Sequence, residues 1–238
     1  MFQSWRQPGI DVPQALADEL YRRYSTKEGY DLFPDVMPFF QMLRTKSSTE
    51  ATKPWPWEKT VVGIITNSDD RVPGVLNSFG LKVGPRRVGT PDQRAAEAAL
   101  EDDISFVVLS YDVGVEKPRR AIFDAAAECL KETLSGRDDG LQVEDFEKLY
   151  VGDTLQHDVF GAEGAGWYAL LLDRSNYYKK AYARVGKGLV SKTMKQQARD
   201  GFTEVGIIEN LEALNDWYPA NSKESSPGSS GSENERAA

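Results

Sequence analysis

Tyr150-Val-Gly-Asp-Thr-Leu-Gln-His-Asp158 is the stretch of this sequence that decides the fold. A short apolar run ends at Gly152, carboxylates follow at Asp153 and Asp158, and a segment rich in glycine and alanine comes next. This pattern is typical of a buried parallel strand that turns sharply at a glycine. The following side chains then lie at the carboxyl edge of the sheet, where open α/β folds bind ligands. Paired oxygen ligands at that edge suit Mg²⁺. The alternative is that both aspartates cap or charge the first turn of a helix.

Three further apolar runs predict the other strands of the sheet. They are rich in β-branched residues or leucine, as expected for strands buried on both faces, and they cover 61–65, which is continuous, 104–109, which contains one serine, and 168–172. Apolar residues at helical spacing between the runs predict helices, including 72–79 and 119–130. Strands and helices that alternate with short connections predict an α/β fold, with a Rossmann-like, doubly wound parallel sheet.

The composition narrows the class of protein. The chain has 238 residues, of which 40% are hydrophobic, enough for one main domain with appendages. A net charge of −8 argues against a nucleic-acid surface, and no apolar run approaches the roughly 18 residues that cross a membrane. The N-terminus lacks the pattern of a signal peptide. Cys129, the single cysteine, follows an apolar helical pattern, so we expect a core residue in a reducing compartment, the cytoplasm or else the nucleus.

The predicted strand ends bring together residue types that bind a phosphate. Thr66 and Asn67 follow one strand, Lys117 precedes the helix after the next strand, and Asp153 and Asp158 follow the third. A hydroxyl, an amide and a fixed positive charge can hold phosphoryl oxygens, and two carboxylates can hold a bridging Mg²⁺. Each part alone has an ordinary explanation, as a turn, a cap or an exposed lysine at a helix start. Their order after successive apolar strands is what makes the combination specific.

Three segments resemble motifs of the haloacid dehalogenase-like hydrolase superfamily. The segment 64–67 is similar to the second motif of that superfamily. The segment 110–118, together with Ile122-Phe123, is similar to the third motif, and the segment 151–167 is similar to the fourth motif. The resemblance covers residues 32–217. The sequence of the motifs is most similar to the subgroup called haloacid dehalogenase-like hydrolase domain-containing protein 3. It implies a Rossmann-like core with a helical cap and magnesium-dependent phosphoryl transfer.

The resemblance also implies roles for single residues. Thr66 and Asn67 bind the phosphate, Lys117 neutralises it as the catalytic cation, and Asp153 with Asp158 holds Mg²⁺. The implied ligand is a small phosphorylated metabolite, and neither nucleic acid nor a membrane is expected as a partner.

One motif of the superfamily is missing from the sequence. The first motif, Asp-x-Asp-x-Thr at the end of the first strand, supplies the nucleophilic and the acid/base aspartates, and no such motif exists here. Asp112 follows an apolar strand but is a poor substitute, because the second carboxylate and the threonine are absent. We therefore expect a magnesium-dependent phosphatase type that is inactive, or nearly so, as this chain. The alternatives are a non-catalytic regulatory protein that binds phosphate or metal, and an incomplete chain from a truncated gene model.

The first core strand of that superfamily is missing together with the motif. The strand lies in the middle of the family's sheet, and each buried backbone group left unpaired costs about 1–3 kcal/mol. A shifted neighbouring strand, a partner molecule or an upstream segment has to fill its position. We favour the upstream segment.

The chain is predicted to have three parts. Residues 1–30 form the remnant of a helical cap, with a helix over 12–24, and residues 31–218 form the hydrolase core, whose first helix covers 36–43. Loop insertions are expected near 45–60, 131–147 and 174–203, the last partly helical. Residues 219–238 are polar apart from the terminal alanines and are predicted to be disordered.

Overall fold

The computed structural model describes residues 12–45, 57–89, 102–135, 140–178, 180, 193–198 and 201–217. The helices of this part of the chain are α1 (Gln14–Arg23), α2 (Val36–Thr45), α3 (Val72–Ser78), α4 (Ser110–Val113), α5 (Arg120–Leu134) and α6 (Phe160–Gly164). Its strands are β1 (Gly63–Thr66), β2 (Val83–Arg87), β3 (Ile104–Leu109), β4 (Leu149–Gly152), β5 (Tyr168–Leu172), β6 (Thr193–Ala198) and β7 (Gly201–Ile208). A π-helical turn lies at Leu155–Val159.

The strands form two sheets. In the first sheet β3 lies between β1 and β2 and is parallel to both. In the second sheet the order is β4-β5-β7-β6, and only the pair of β6 and β7 is antiparallel. All six residues of β3 are buried, as is typical of a parallel strand covered on both faces. The parallel pairing and the helices between the strands confirm the predicted α/β class.

Two helices cover the opposite faces of the sheets. On one face, Phe123 and Ile122 of α5 pack in a cluster that includes Val108 of β3. On the other face, Phe40 of α2 packs in a cluster that includes Val107. Because successive residues of a strand point to opposite faces, neighbours in β3 enter different clusters.

Charged residues fix both ends of α2. At its start, Asp35 accepts hydrogen bonds from Arg174 Nη1 (2.6 Å), which follows β5, and from the Leu211 N–H (2.8 Å), which follows β7. At its end, Arg44 forms an ion pair with the buried Asp103, which precedes β3. The helix is thereby held to the second sheet at one end and to the first sheet at the other.

Several predicted boundaries differ from the structure. The connection after α3 contains β2, although its sequence Val-Gly-Pro-Arg-Arg favours a turn, because pairing with β3 satisfies its backbone. The insertion predicted at 174–203 contains β6, which pairs with β7 and was missed because Thr-Met-Lys-Gln-Gln-Ala has no clear strand pattern. The loop predicted at 131–147 begins later, since α5 continues to the buried Leu134.

The helix predicted over 12–24 is confirmed as α1, which has no buried residue. Its apolar side chains stay exposed, Leu16 to 49% and Tyr21 to 68%. The tail predicted at 219–238 lies outside the described residues. None of the described helices is long and apolar enough to cross a membrane.

Cys129 lies in the core, as predicted, with 3% of its surface exposed. Burial, and to a smaller extent the Glu132 carboxylate, raises the pKa of its thiol to about 12. Because the thiolate is the reactive form, we expect the native protein to react with a disulfide reagent at pH 8 at least about a hundredfold more slowly than the urea-unfolded chain. Absorbance of the released thiol measures both rates, and equal rates would contradict the buried position.

Candidate functional site

The predicted phosphate-binding residues meet where β1 ends and the loop before α5 begins. The side chain of Asn67 holds the backbone of Lys117 by two hydrogen bonds: Asn67 Nδ2 donates to the Lys117 carbonyl (3.2 Å), and the Lys117 N–H donates to Asn67 Oδ1 (2.8 Å). Thr66 is the last residue of β1 and is half-buried. The second and third motif segments are therefore fixed to each other by an amide side chain.

The ammonium group of Lys117 joins these segments to the end of β4. Its Nζ donates to Asp158 Oδ1 and to the Tyr150 hydroxyl, both at 2.7 Å. The Lys117 and Asp158 side chains are only 11% and 4% exposed, so the pair is shielded from solvent. A shielded ion pair of this kind holds its cation in one position, which is what the binding of an anion requires.

Tyr150 is a member of this site that the sequence reading missed. Its hydroxyl accepts from Lys117 and donates to the Ile65 carbonyl at 2.9 Å, while Asp158 Oδ1 lies 3.3 Å away. Burial, followed by the charge of Asp158, raises the pKa of Tyr150 well above its usual range, so the phenol stays protonated and can donate. A hydrogen-bonding side chain in the middle of an otherwise apolar strand was the available signal.

The two predicted metal ligands differ in their surroundings. Asp158 is buried and already engaged, because Oδ1 accepts from Lys117 and Oδ2 accepts from the Thr154 N–H at 2.8 Å. Asp153 is exposed and has only the Thr154 hydroxyl nearby, at 3.4 Å. Among the described residues no group of three or more His, Cys, Asp or Glu side chains could hold a metal ion. The donors still fit Mg²⁺, which proteins often bind through one or two carboxylates with water and phosphate completing the shell.

Other polar residues near the strand ends are occupied or exposed. Asp112 accepts two hydrogen bonds from Arg87, at 2.8 and 3.0 Å from its two oxygens, and both side chains are mostly buried. A carboxylate that is bound by an arginine in this way is poorly suited to attack a substrate. His157 is exposed on the π-helical turn.

Gly152 gives the Asp158 carboxyl its position. A methyl group on Gly152 would overlap this carboxyl group, whereas a methyl group on Gly164 in α6 would meet no atom within 4 Å. We expect Gly152→Ala to lower the free energy of unfolding by about 1–3 kcal/mol, as overpacking usually does. Gly164→Ala is the matched control and should be neutral or slightly stabilising, because alanine favours helices. Urea unfolding of both variants measures the difference, and equal effects would contradict the crowding at Gly152.

Comparisons with known proteins show which proteins this chain is similar to. No family model matches the chain. A solved structure, the HAD phosphatase from Thermococcus onnurineus, is similar with a TM-score of 0.48 and 21% identity, covering 87% of this chain and 65% of that chain. An uncharacterized hydrolase of Schizosaccharomyces pombe is 31% identical over 169 residues, which are 71% of this chain and 59% of the relative. The chain is thus similar in sequence to a hydrolase over most of its own length.

The chain also matches the glyceraldehyde 3-phosphate phosphatase of Methanopyrus kandleri, with 39% identity over 71 residues, 30% of this chain and 26% of that protein. It spans about three-fifths of the length of the Schizosaccharomyces pombe hydrolase.

Proposed function

We propose that this chain is a haloacid dehalogenase-like protein of the phosphatase type, and that it binds a small phosphorylated metabolite at the strand ends around Lys117. The observation that carries the proposal is the Lys117 ammonium group, held by Asp158 and Tyr150 at 2.7 Å and tied through its backbone to Asn67. A buried, oriented cation beside a strand end is suited to neutralise a phosphoryl group. The match to a phosphatase of Methanopyrus kandleri supports the same class of ligand.

The residues around Lys117 have separate roles in the proposed binding of phosphate. The Thr66 hydroxyl and the N–H groups after β1 donate to phosphoryl oxygens, and Lys117 balances their charge. Asp158 and Tyr150 hold the Lys117 ammonium group in place by hydrogen bonds of 2.7 Å each. The carboxylates of Asp153 and Asp158 would hold Mg²⁺. The bound ion would reduce the negative charge on the phosphoryl oxygens.

We further propose that this chain by itself does not turn over its ligand. The Asp-x-Asp-x-Thr motif is absent from its sequence, and the carboxylate of Asp112 is bound to Arg87. Covalent phosphoryl transfer needs an attacking carboxylate and a second group that moves the proton. The second candidate function, a regulatory protein that binds phosphate without hydrolysing it, is favoured by the same two observations.

An assay of turnover tests the inactivity. Purified chain with Mg²⁺ and p-nitrophenyl phosphate should release p-nitrophenol no faster than the Lys117→Ala variant does. Turnover well above that variant would refute the proposed inactivity and would point to a nucleophile elsewhere in the chain.

A binding measurement tests the phosphate site separately. Inorganic phosphate with Mg²⁺ should raise the midpoint of thermal unfolding, because a ligand that binds only the folded state stabilises it. We expect Thr66→Val to abolish the phosphate-dependent rise and Thr45→Val, at the end of α2, to keep it. Asp153→Ala should remove the additional effect of Mg²⁺. A rise that survives Thr66→Val would argue against this site.

A further inference from the structure

Lys117 lies at the end of a short segment that leaves the first sheet after β3. We call residues 110–117 the Lys117 segment. It begins with α4, which follows β3 directly, and the backbone then turns at Gly114, whose φ of 75° lies in the left-handed region that favours glycine. The turn separates Lys117 from α4, so the segment has to be held at both of its ends.

An arginine of a neighbouring strand holds the start of the Lys117 segment. Arg87, the last residue of β2, donates from Nη2 to Asp112 Oδ1 at 2.8 Å and from Nε to Asp112 Oδ2 at 3.0 Å. The two side chains are 17% and 11% exposed. Two hydrogen bonds between a planar guanidinium group and a carboxylate fix the direction of the pair as well as its distance. Asp112 thereby ties α4 to the first sheet, in which Arg87 lies beside Val107 of β3.

The other polar contacts at the start of the segment are weaker. The Ser68 carbonyl accepts from the Tyr111 N–H at 3.3 Å and from the Ser110 hydroxyl at 3.4 Å, and both distances are long for a hydrogen bond. Within the part of the chain that the structure describes, residues 110–116 form no ion pair other than that of Asp112. The pair with Arg87 is therefore the strongest polar attachment of α4.

The end of the segment is attached to the same turn as its start. Asn67, the residue before Ser68, accepts from the Lys117 N–H at 2.8 Å and donates to the Lys117 carbonyl at 3.2 Å. Both hydrogen bonds are exposed, so water competes for these backbone groups whenever the segment moves. Because Asn67 and Ser68 are adjacent, a displacement of α4 from Ser68 changes where the segment meets Asn67. The ion pair with β2 opposes that displacement.

We propose that Arg87 and Asp112 are positioning residues, whose ion pair keeps the backbone and the ammonium group of Lys117 in place at the strand ends. The pair acts through the segment that it holds. A cation that is already fixed binds an anion more tightly than a mobile one, because less conformational freedom is lost on binding. The effect of the pair on phosphate binding rests on the proposed function, whereas its effect on the backbone of Lys117 does not.

An ion pair that only stabilises the fold makes a different prediction. Replacement of a mostly buried ion pair by apolar side chains of similar size is often neutral or stabilising, because the two charges no longer have to be desolvated. The double variant Arg87→Met with Asp112→Leu should therefore keep the global stability, but it lacks the two directed hydrogen bonds. If the pair only stabilises the fold, the double variant behaves like the wild type. If the pair positions Lys117, the segment opens locally.

The test is hydrogen exchange of single amides, measured by NMR on the ¹⁵N-labelled full chain without phosphate or metal. The Lys117 amide reports opening of the segment, and the amide of Val108, which is buried in β3, reports global unfolding. We expect the double variant to exchange the Lys117 amide at least about tenfold faster and the Val108 amide at an unchanged rate. Glu132→Gln is the matched control, because Glu132 pairs with Arg86 of the same strand at 3.1 Å, and it should leave the rate at Lys117 unchanged.

The exchange rates decide the role of the pair. Faster exchange of the Lys117 amide alone supports the positioning role. An unchanged rate at Lys117 in the double variant overturns it, and so does a similar acceleration at Lys117 and Val108, because the pair then only stabilises the fold.

A second measurement connects the pair to the ligand. Calorimetric titration with inorganic phosphate in the presence of Mg²⁺ should give an affinity at least about fivefold lower for the double variant than for the wild type. Equal affinities would overturn the role of the pair in holding the ammonium group. A wild-type chain that binds no phosphate would contradict the proposed function, and the exchange rates would still decide whether Arg87 and Asp112 position the backbone of Lys117.

Discussion

Lys117→Met is expected to lower the free energy of unfolding by about 3–5 kcal/mol, because it leaves the buried Asp158 carboxylate without its cation. The Asp158 side chain is 4% exposed, and without Lys117 it keeps two neutral donors, the Thr154 N–H at 2.8 Å and the Tyr150 hydroxyl at 3.3 Å. A loss of this size is a large share of the 5–15 kcal/mol that usually stabilises a domain. Urea unfolding followed by circular dichroism measures it.

Two variants control the Lys117 experiment. Lys131→Met removes a lysine whose pair with Glu128 is 3.8 Å long and about two-thirds exposed, and should change stability by less than about 1 kcal/mol. The double variant Lys117→Met with Asp158→Asn removes both charges and should regain part of the loss. A double variant no more stable than the single one would show that the unpaired charge is not the cause.

Phe123→Ala is expected to cost about 3–5 kcal/mol, the usual range for removing a buried aromatic ring. Phe123 is fully buried, and its ring forms edge-to-face contacts with Tyr150 and Trp167 at centroid distances of 5.4 and 5.9 Å. It therefore joins α5 to the strand that carries Tyr150. The loss should also disturb the site, because Tyr150 positions Lys117. Urea unfolding gives the stability, and the phosphate-dependent thermal shift reports the site.

Tyr111→Ala is the matched control for Phe123, since it also removes an aromatic ring but from a side chain that is 68% exposed. We expect a change within about 0.5 kcal/mol. Similar costs for the two variants would mean that the cluster around Phe123 does not dominate the stability of this part of the chain.

The local pattern of the sequence determined most of the elements. Apolar runs at 61–65, 104–109 and 168–172 locate β1, β3 and β5, because strands inside a parallel sheet are covered on both faces and are mostly apolar. Helical spacing likewise located α1 and α5. The same pattern failed for β2 and β6, whose residues are poor strand formers and are held in place by their neighbours in the sheet.

Only the tertiary structure decided how the site is assembled. The sequence by itself determined which residue types follow the strands, among them Asn67, Lys117 and Asp158. It could not show that the Tyr150 hydroxyl donates a hydrogen bond to a carbonyl 85 residues away in the sequence. It also could not show that Arg87 binds the carboxylate of Asp112, 25 residues away. Periodicity records whether a side chain is buried, which depends on the local backbone. The partner of a buried polar group depends on how distant segments pack.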